Sequence, residues 1–302
     1  MITRQLQYLV TLAKERHFAR AAAICNVTQP TLSAGIKQLE EGFGVLIVER
    51  GRRFVGFTPE GAKILGWAQR MLADYEGLQQ ELGLMQAGLI GKLRIGAIPV
   101  ALSALPLLTR PFSEKHPLAT MTVISQTSRE IQRGLDTFEL DAGVTYLDNE
   151  PLSGVRTVPL YEEHYVLLVP ADAPLAGRPS VAWRESAALP LCLLTPDMQN
   201  RRILDMHFRA SGATVKPVFE TNSVLMLLVH LRSGLLSTIL PHTLVSSLAP
   251  LAGLAAVPLV EPEAKHTIGL VLAEREPLQP LARALLECAA SAGMAEKLAL
   301  AR

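Results

Sequence analysis

Apolar positions in the first 58 residues recur at helical spacing and are interrupted twice. Leu6, Leu9, Val10 and Ala13 form one stripe and predict an opening helix over 2–16. Phe18, Ala21, Ala22 and Cys25 form a second stripe over 18–25, which ends where Cys25-Asn26 breaks the period and Val27 fills the corner. Thr28 then stands as a helix cap, and Pro30 is tolerated in the first turn because the N–H it lacks would have had no partner there. Leu32, Ile36 and Leu39 follow at i, i+4 and i+7 and predict a third helix over 29–41. After a loop at 49–53, Phe54, Val55 and Phe57 read as a short returning strand.

Thr58-Pro59-Glu60-Gly61 opens a different kind of segment, with Thr58 as cap and Pro59 at the first helical position. A helix without internal proline runs from 59 to about 86, roughly 42 Å long at 1.5 Å per residue. Leu65, Ala68, Leu72, Tyr75 and Leu82 fit a 3-4 alternation interrupted at Gln79, and Met71, Leu78 and Met85 add a second heptad position. So wide a stripe predicts pairing with a second copy. Gly88 to Gly91 reads as a hinge. Beyond it the pattern alternates between strands (92–98, 120–125, 141–145) and helices (100–115, 128–139), the grammar of a mostly parallel sheet covered by helices. A second round follows, with strands at 165–169, 191–194, 216–220 and 236–240 and helices at 180–187, 199–210 and 222–232. A strand at 267–272 then returns to the first round, and a helix at 278–292 closes the chain.

At 302 residues, half of them hydrophobic, the chain has room for two or three domains. No run reaches 18 uninterrupted apolar residues, and the N-terminus MITRQLQYLVTLAKERHF lacks the apolar core and cleavage site of a signal peptide, so a soluble cytoplasmic protein is expected. Cys25, Cys192 and Cys288 are too far apart for a disulfide framework or a metal pattern, and each sits among apolar residues. There is no P-loop, G-x-G-x-x-G, G-x-S-x-G or H-E-x-x-H, and the seven histidines show no ligand spacing. Asp136 with Glu139, and Glu162 with Glu163, read as helix-surface and turn charges. These features exclude an enzyme and predict neither cofactor nor metal.

What remains is the chemistry of the third helix. Its polar face offers Gln29, Thr31, Ser33, Lys37 and Gln38, hydroxyl and amide side chains suited to the donor and acceptor edges of a major groove. The loop after it, Glu49-Arg50-Gly51-Arg52-Arg53, supplies cations for phosphate contacts that position a protein without reading sequence. Residues 1–58 hold eight lysines and arginines against four acids, a net of +4, where the whole chain carries +1. The positive charge is concentrated in the part that would meet a polyanion. The expected architecture is a winged helix-turn-helix domain over 1–58, a dimerising helix and hinge over 59–90, and an α/β effector domain over 91–302. The expected DNA contacts are Thr28, Gln29, Pro30, Thr31, Ser33, Lys37, Arg50, Arg52 and Arg53. A nucleoid-type protein binding DNA without sequence choice would need a larger basic excess.

Residues 1–60, from LQYLVTLAKERHFARAA through VTQPTLSAGIKQLEE to FTPEG, resemble the N-terminal domain of LysR-type transcriptional regulators, and the length and domain order of the remainder match as well. The resemblance implies a sequence-specific bacterial regulator of double-stranded DNA. Its effector domain would be periplasmic-binding-protein-like, with one lobe at 91–161 and 267–302 and the other at 162–266. It also implies a homodimer through the linker helix, a tetramer of two dimers, and RNA polymerase as a partner. Where relatives often have an arginine and a polar residue after the recognition-helix serine, this chain has Ala34-Gly35, which leaves base reading to Gln29, Pro30, Thr31, Ser33 and Lys37. The strand-to-helix turns expected to line the effector cleft hold Pro99, Val100, Ser103, Gln126, Thr127, Ser128, Thr145, Thr195, Pro196, Thr221 and Asn222. Relatives commonly carry Ser or Thr where this chain has Val100. With hydroxyls, amides and helix N-termini, such a cleft suits a small anion or carboxylate. The wording TQPTLSAGIKQLEEG and TFELDAGVTYLDNEP is similar to the regulators found beside formate dehydrogenase genes, which makes formate the expected effector. The competing expectation is a thiol-redox-responsive or effector-independent regulator.

Overall fold

The computed structural model describes residues 2–49, 54–86, 88–248 and 252–299. The chain divides into two compact units, Met1–Ala87 and Gly88–Arg302. Among the described residues no helix is long and apolar enough to cross a membrane.

In the first unit, α1 (Ile2–Glu15), α2 (Phe18–Ile24) and α3 (Gln29–Phe43) enclose one core of Leu6, Leu9, Leu12, Ala21, Ala22, Leu32, Ile36 and Leu39. The α2–α3 corner closes because Asn26 takes a positive φ of 54°, a conformation its short polar side chain tolerates. Val27 N–H then donates to Ala22 at 3.0 Å and its side chain packs on the core. Thr28 caps α3, its hydroxyl accepting from Thr31 N–H at 3.3 Å. Two features escape the apolar periodicity. His17 caps α2, Nδ1 accepting from Arg20 N–H at 3.4 Å. The Glu40 carboxylate accepts the N–H groups of Ile47 and Val48 at 2.8 and 3.1 Å, fixing where the chain leaves α3.

The expected strand through Phe54, Val55 and Phe57 shrinks to a single bridge, Val48 to Phe57. Phe54 instead packs its ring edge-on between Phe18 and Phe57, with centroids 6.3 and 5.2 Å away, so ring contacts rather than a ladder hold this segment. Arg50, Arg52 and Arg53 lie outside the described residues.

The helix α4 (Pro59–Gln86) starts at Thr58, whose hydroxyl accepts from Gly61 N–H at 2.9 Å and donates to Leu46 O at 2.6 Å. The single expected stripe splits in two. Leu65, Ala68 and Leu72, with Ile64, turn inward onto the first unit's core. Met71, Tyr75, Leu78, Leu82 and Met85 are exposed, at successive spacings of four, three, four and three residues. That is the seam a coiled-coil partner would cover.

In the second unit, β1 (Gly91–Ala97) pairs in parallel with β2 (Ala119–Ser125) and β3 (Ala142–Tyr146), linked by α5 (Pro106–Lys115) and α6 (Ser128–Asp136). The helix expected over 100–115 is broken: Pro99–Ala101 is a 3₁₀ turn, and Pro106 restarts the chain as α5. β4 (Val155–Pro170) is one 16-residue strand, where only 165–169 was expected. Its earlier part mixes exposed residues with a bulge, which hides the strand's period. Then come β5 (Val181–Ala182), α7 (Trp183–Ser186), β6 (Cys192–Leu194), α8 (Gln199–Ala210), β7 (Phe219–Thr221), α9 (Val224–Leu231) and β8 (Thr238–Pro241). α10 (His242–Ser247) and β9 (Leu254–Val260) follow, with no counterpart in the expected pattern, before β10 (Lys265–Ala273), α11 (Pro280–Ser291) and α12 (Met294–Ala299).

The sheet order is β2-β1-β3-β10-β4-β9-β5, with β8 also on β4 and a separate β6-β7 pair. β4 is shared by both lobes. It pairs with β10 as far as His164, and from Tyr165 onward it lies between β8 and β9. The chain therefore crosses between lobes at 164/165 and again between Val260 and Lys265.

Two glycines set the packing of the first unit. A Cβ on Gly61 would lie 2.1 Å from the Ile47 carbonyl oxygen, and one on Gly35 would lie 2.7 Å from the Tyr8 ring. Gly61→Ala must displace backbone, so it should lower the unit's stability by about 1–3 kcal/mol, with Gly35→Ala costing less because a ring can shift. Gly42, with nothing within 4 Å, is the control, and Gly42→Ala should raise stability by about 0.5–1 kcal/mol. Hydrogen exchange of α3 amides in the full chain measures all three.

Candidate functional site

On α3 the core side is taken by Leu32, Gly35, Ile36 and Leu39, so Gly35 faces α1 rather than solvent. Its small size belongs to packing, which corrects its reading as an altered base contact. Gln29, Pro30, Thr31, Ala34, Lys37 and Gln38 are exposed and Ser33 is half-buried. The Thr28 and Thr31 hydroxyls are 2.9 Å apart, which ties both to the cap. Lys37 lies 3.6 Å from Glu41 in an exposed pair, where solvent screens most of the attraction. Gln29, Ser33, Ala34 and Lys37 thus form the outward face.

In the second unit, the expected cleft residues do not all meet. A cavity of about 560 Å³ lies between the lobes. Pro99, Gln126, Thr127 and Asn222 line it, joined by Leu102, Ser125, Glu130, Asp197, Met198, Ser223, Val224 and Leu225. The starts of α6, α8 and α9 and the 3₁₀ turn all converge on it. Val100 is fully buried in the core and is not among the residues lining the cavity. Ser128 is buried at the start of α6, and Pro196 offers its carbonyl to Arg202 at 3.1 Å. Thr221 accepts from Ser223 N–H at 3.2 Å. The hydroxyls of Ser103 and Thr195 are buried without a hydrogen-bond partner, as is Gln126 Oε1.

Two carboxylates that sequence reasoning passed over border this cavity, Glu130 and Asp197, and no lysine or arginine is among its lining residues. Glu130 closes a capping box, accepting from Thr127 N–H at 2.8 Å and from the Thr127 hydroxyl at 2.9 Å. The T-x-x-E spacing at 127–130 was the available signal. α8, in contrast, begins after Met198, which lines the cavity, and its first-turn N–H groups have no side-chain cap to compete for them.

The same α8 fastens one lobe to the other. Thr145 donates to Gln199 Oε1 at 3.0 Å, and Gln199 donates onward to the Asn149 carbonyl. Asn200 Nδ2 donates to the Tyr146 hydroxyl at 3.2 Å. Arg202 grips the Glu150 carboxylate, with Nε 2.7 Å from one oxygen, and Glu150 is held below the usual carboxylate range by that guanidinium. Further along, His207 and His266 bring their Nε2 atoms to 2.9 Å, and His266 Nδ1 lies 3.1 Å from Asp148. Burial pushes the His207 imidazole down to about 4, so it is neutral at pH 7 and can donate to His266.

Glu163 corrects its reading as a turn charge. It is 1% exposed, its carboxyl bonded to the Tyr146 hydroxyl, which is 3.1 Å from that of Tyr165. Burial raises the Glu163 carboxyl to about 8, outweighing the opposite pull of the Tyr146 hydrogen bond. A second cavity of about 460 Å³, lined by Glu162, Glu163, His164, His242 and Lys265 among others, borders the same stretch of β4. Among the described residues no cluster of His, Cys, Asp and Glu could hold a metal.

The family "Bacterial regulatory helix-turn-helix protein, lysR family" matches residues 3–62, and "LysR substrate binding domain" matches residues 86–293. The chain belongs to the LysR family. It is a DNA-binding transcriptional regulator and not an enzyme. It is similar to the DNA-binding transcriptional dual regulator OxyR of Escherichia coli K12, 32% identical over 281 residues that cover 92% of each chain. A full-length OxyR variant from Pseudomonas aeruginosa superimposes with a TM-score of 0.76 at 31% identity, covering 98% of this chain and 97% of that one. The regulator CbnR, solved with its target DNA, shares the fold with a TM-score of 0.67 at 22% identity over 97% of this chain and 100% of its own.

Two of the three cysteines of this LysR regulator, Cys192 and Cys288, sit in unreactive surroundings. Cys192 is fully buried in β6, and burial alone pushes its thiol up to about 11. Cys288 is buried on α11 and raised by the same cause. The thiolate is the reactive form, so both should resist modification. Iodoacetamide at pH 8 should leave Cys192 and Cys288 of the native protein unlabelled and label them only after unfolding. Mass spectrometry of the peptides decides it, and rapid native labelling of Cys192 would contradict the burial argument.

Proposed function

We propose that this regulator reads operator DNA with the outward face of α3, as a homodimer joined along the exposed α4 seam and as a tetramer of two such dimers. RNA polymerase is its proposed partner at the promoter. Gln29, Ser33 and Lys37 are the proposed base readers, and Ala34 presents a methyl group suited to the methyl of thymine. Thr28 and Thr31 spend their hydroxyls on the cap, and Pro30 shapes that turn. Arg50, Arg52 and Arg53 are the proposed phosphate contacts. Gln29→Ala or Lys37→Ala should therefore cost about 1–3 kcal/mol at the operator and relax base choice, whereas Arg52→Ala or Arg53→Ala should weaken all DNA alike and flatten the salt slope. Titration of operator and scrambled duplexes at several salt concentrations separates the two, and a wing variant with altered base preference would reverse the roles.

The proposed control is a small effector in the interlobe cavity. The observation that carries it is the convergence of helix starts on one cavity of about 560 Å³, walled by the helix that fastens the lobes. A ligand there would favour one placement of α8 and so shift the population of lobe arrangements. Glu130 and Asp197 sharpen the expected ligand. The uncapped first turn of α8 suits a carboxylate, while the two acids favour hydroxyl or amino donors on the same molecule. A small hydroxy- or amino-carboxylate meets both conditions. Formate offers no donor to the acids and would fill little of the space.

The E. coli K12 relative is named a dual regulator, and other relatives are named hydrogen peroxide-inducible genes activators. A thiol sensor built on Cys192 or Cys288 does not fit, given their burial. Calorimetry of the full-length protein with formate and with hydroxy- and amino-carboxylates tests the effector reading. Heat is expected only from the latter, and should be lost in Glu130→Gln. Binding of formate alone would overturn the ligand class, and no heat from any would overturn the small-carboxylate effector.

A further inference from the structure

We propose that Glu163 makes the docking of α8 on the first lobe proton-linked, so that the lobes are held together while its carboxyl is protonated and loosen when it ionises. This gives the proposed effector cleft a second input, and it rests on the effector reading only for its consequence at DNA.

Glu163 stands opposite His266 in the β4–β10 ladder, two residues before β4 leaves β10 for β8 and β9. From there a chain of hydrogen bonds runs through the Tyr146 hydroxyl, at the end of β3 in the first lobe, to Asn200 Nδ2 on α8 in the second. The strand common to both lobes is thereby tied to the helix that joins them. Its other carboxyl oxygen, Oε2, is buried without a hydrogen-bond partner.

The groups that face Glu163 are Tyr146 from β3, Asp148 just after it, Tyr161 and Tyr165 along β4, His266 from β10, and Asn200 and His207 from α8. None of these is a lysine or arginine; Glu162, His164, His242 and Lys265 line the cavity that Glu163 also borders. A neutral acid suits such a pocket. An ionised one would set a charge beside Asp148, with one oxygen unsolvated, and hydration would relieve it only if α8 lifted. The three tyrosines are held well above their ordinary range by burial first and then by Glu163, so they stay neutral and add no negative charge of their own.

The sign follows from linkage. The docked carboxyl holds its proton up to about 8, above its ordinary value of 4.5 when exposed. Docking is therefore fully favoured below about 4.5 and loses strength as pH rises from there to about 8, with no further loss beyond.

Hydrogen exchange of the full-length protein, with no effector present, tests this. After correction for intrinsic exchange, opening of the α8 amides over 199–210 should grow on the order of tenfold to a hundredfold from pH 6 to pH 8 and level off above pH 9, while α11 stays constant. Glu163→Gln should abolish the rise. Tyr146→Phe, which removes the hydrogen bond favouring the ionised form, should carry the rise on to higher pH before it levels off. The proposal fails if wild-type α8 changes no more than α11, a result that needs no variant to fold, or if Glu163→Gln keeps the wild-type profile. Because no ligand enters the experiment, its failure would leave the cleft's effector untouched.

Discussion

The second unit depends on how one helix is seated. The apolar cluster of the second unit runs through both lobes, but α8 meets the first lobe through Gln199, Asn200, Arg202 and His207, side chains that hydrogen-bond rather than bury oil. Hydrogen bonds of this kind contribute about 1 kcal/mol each once the competing bonds to water are counted. A few of them hold the lobes together, yet their sum stays within reach of what a ligand can outweigh. A leucine-rich junction would have fixed the lobes for good. A polar one can have two arrangements of similar free energy, and a switch requires that.

The first unit is built on the opposite principle. Its parts pack closely where side chains are absent, Gly61 against the Ile47 backbone and Gly35 against the Tyr8 ring. Nothing in that core is polar enough to be renegotiated, and the face it presents is held at a fixed angle by the Thr28 cap and the grip of Glu40 on Ile47 and Val48. Rigidity belongs at the reading head because base discrimination needs side chains placed on a stiff element. Compliance belongs in the other unit.

How much of this was legible follows from where the information lies. The helices of the first unit and α4 announce themselves by local period, since Leu32, Ile36 and Leu39 must share one face whatever the rest does. The caps at Thr28 and Thr58 are local chemistry and were readable for the same reason. The orientation of Gly35 was not, because its reason is Tyr8, 27 positions earlier, and only the packed structure joins them. The first half of β4 was hidden by its bulge and mixed exposure, and β9 by an apolar run without alternation. Of the cleft, the turns carrying Pro99, Gln126, Thr127 and Asn222 could be named from strand-to-helix transitions. Val100 could not be told from them, since it occupies the same turn but faces inward. Glu163 was the largest miss. Beside Glu162 it looks like one of two surface acids, and only strand alternation, one facing solvent and the other the core, separates them.

That alternation also explains why one short run of sequence can serve two purposes. In Met198-Gln199-Asn200-Arg201-Arg202, Met198 borders the cavity, Gln199 and Asn200 reach the first lobe, and Arg202 returns to Glu150. Arg201 turns back into its own lobe, between Asp205 and Glu220. Successive residues on a helix point about 100° apart, so one turn can face a ligand, a partner lobe and its own sheet at once. A group bound at the start of α8 therefore needs no relay to reach the lobe junction. It acts on the helix whose next two side chains are the junction.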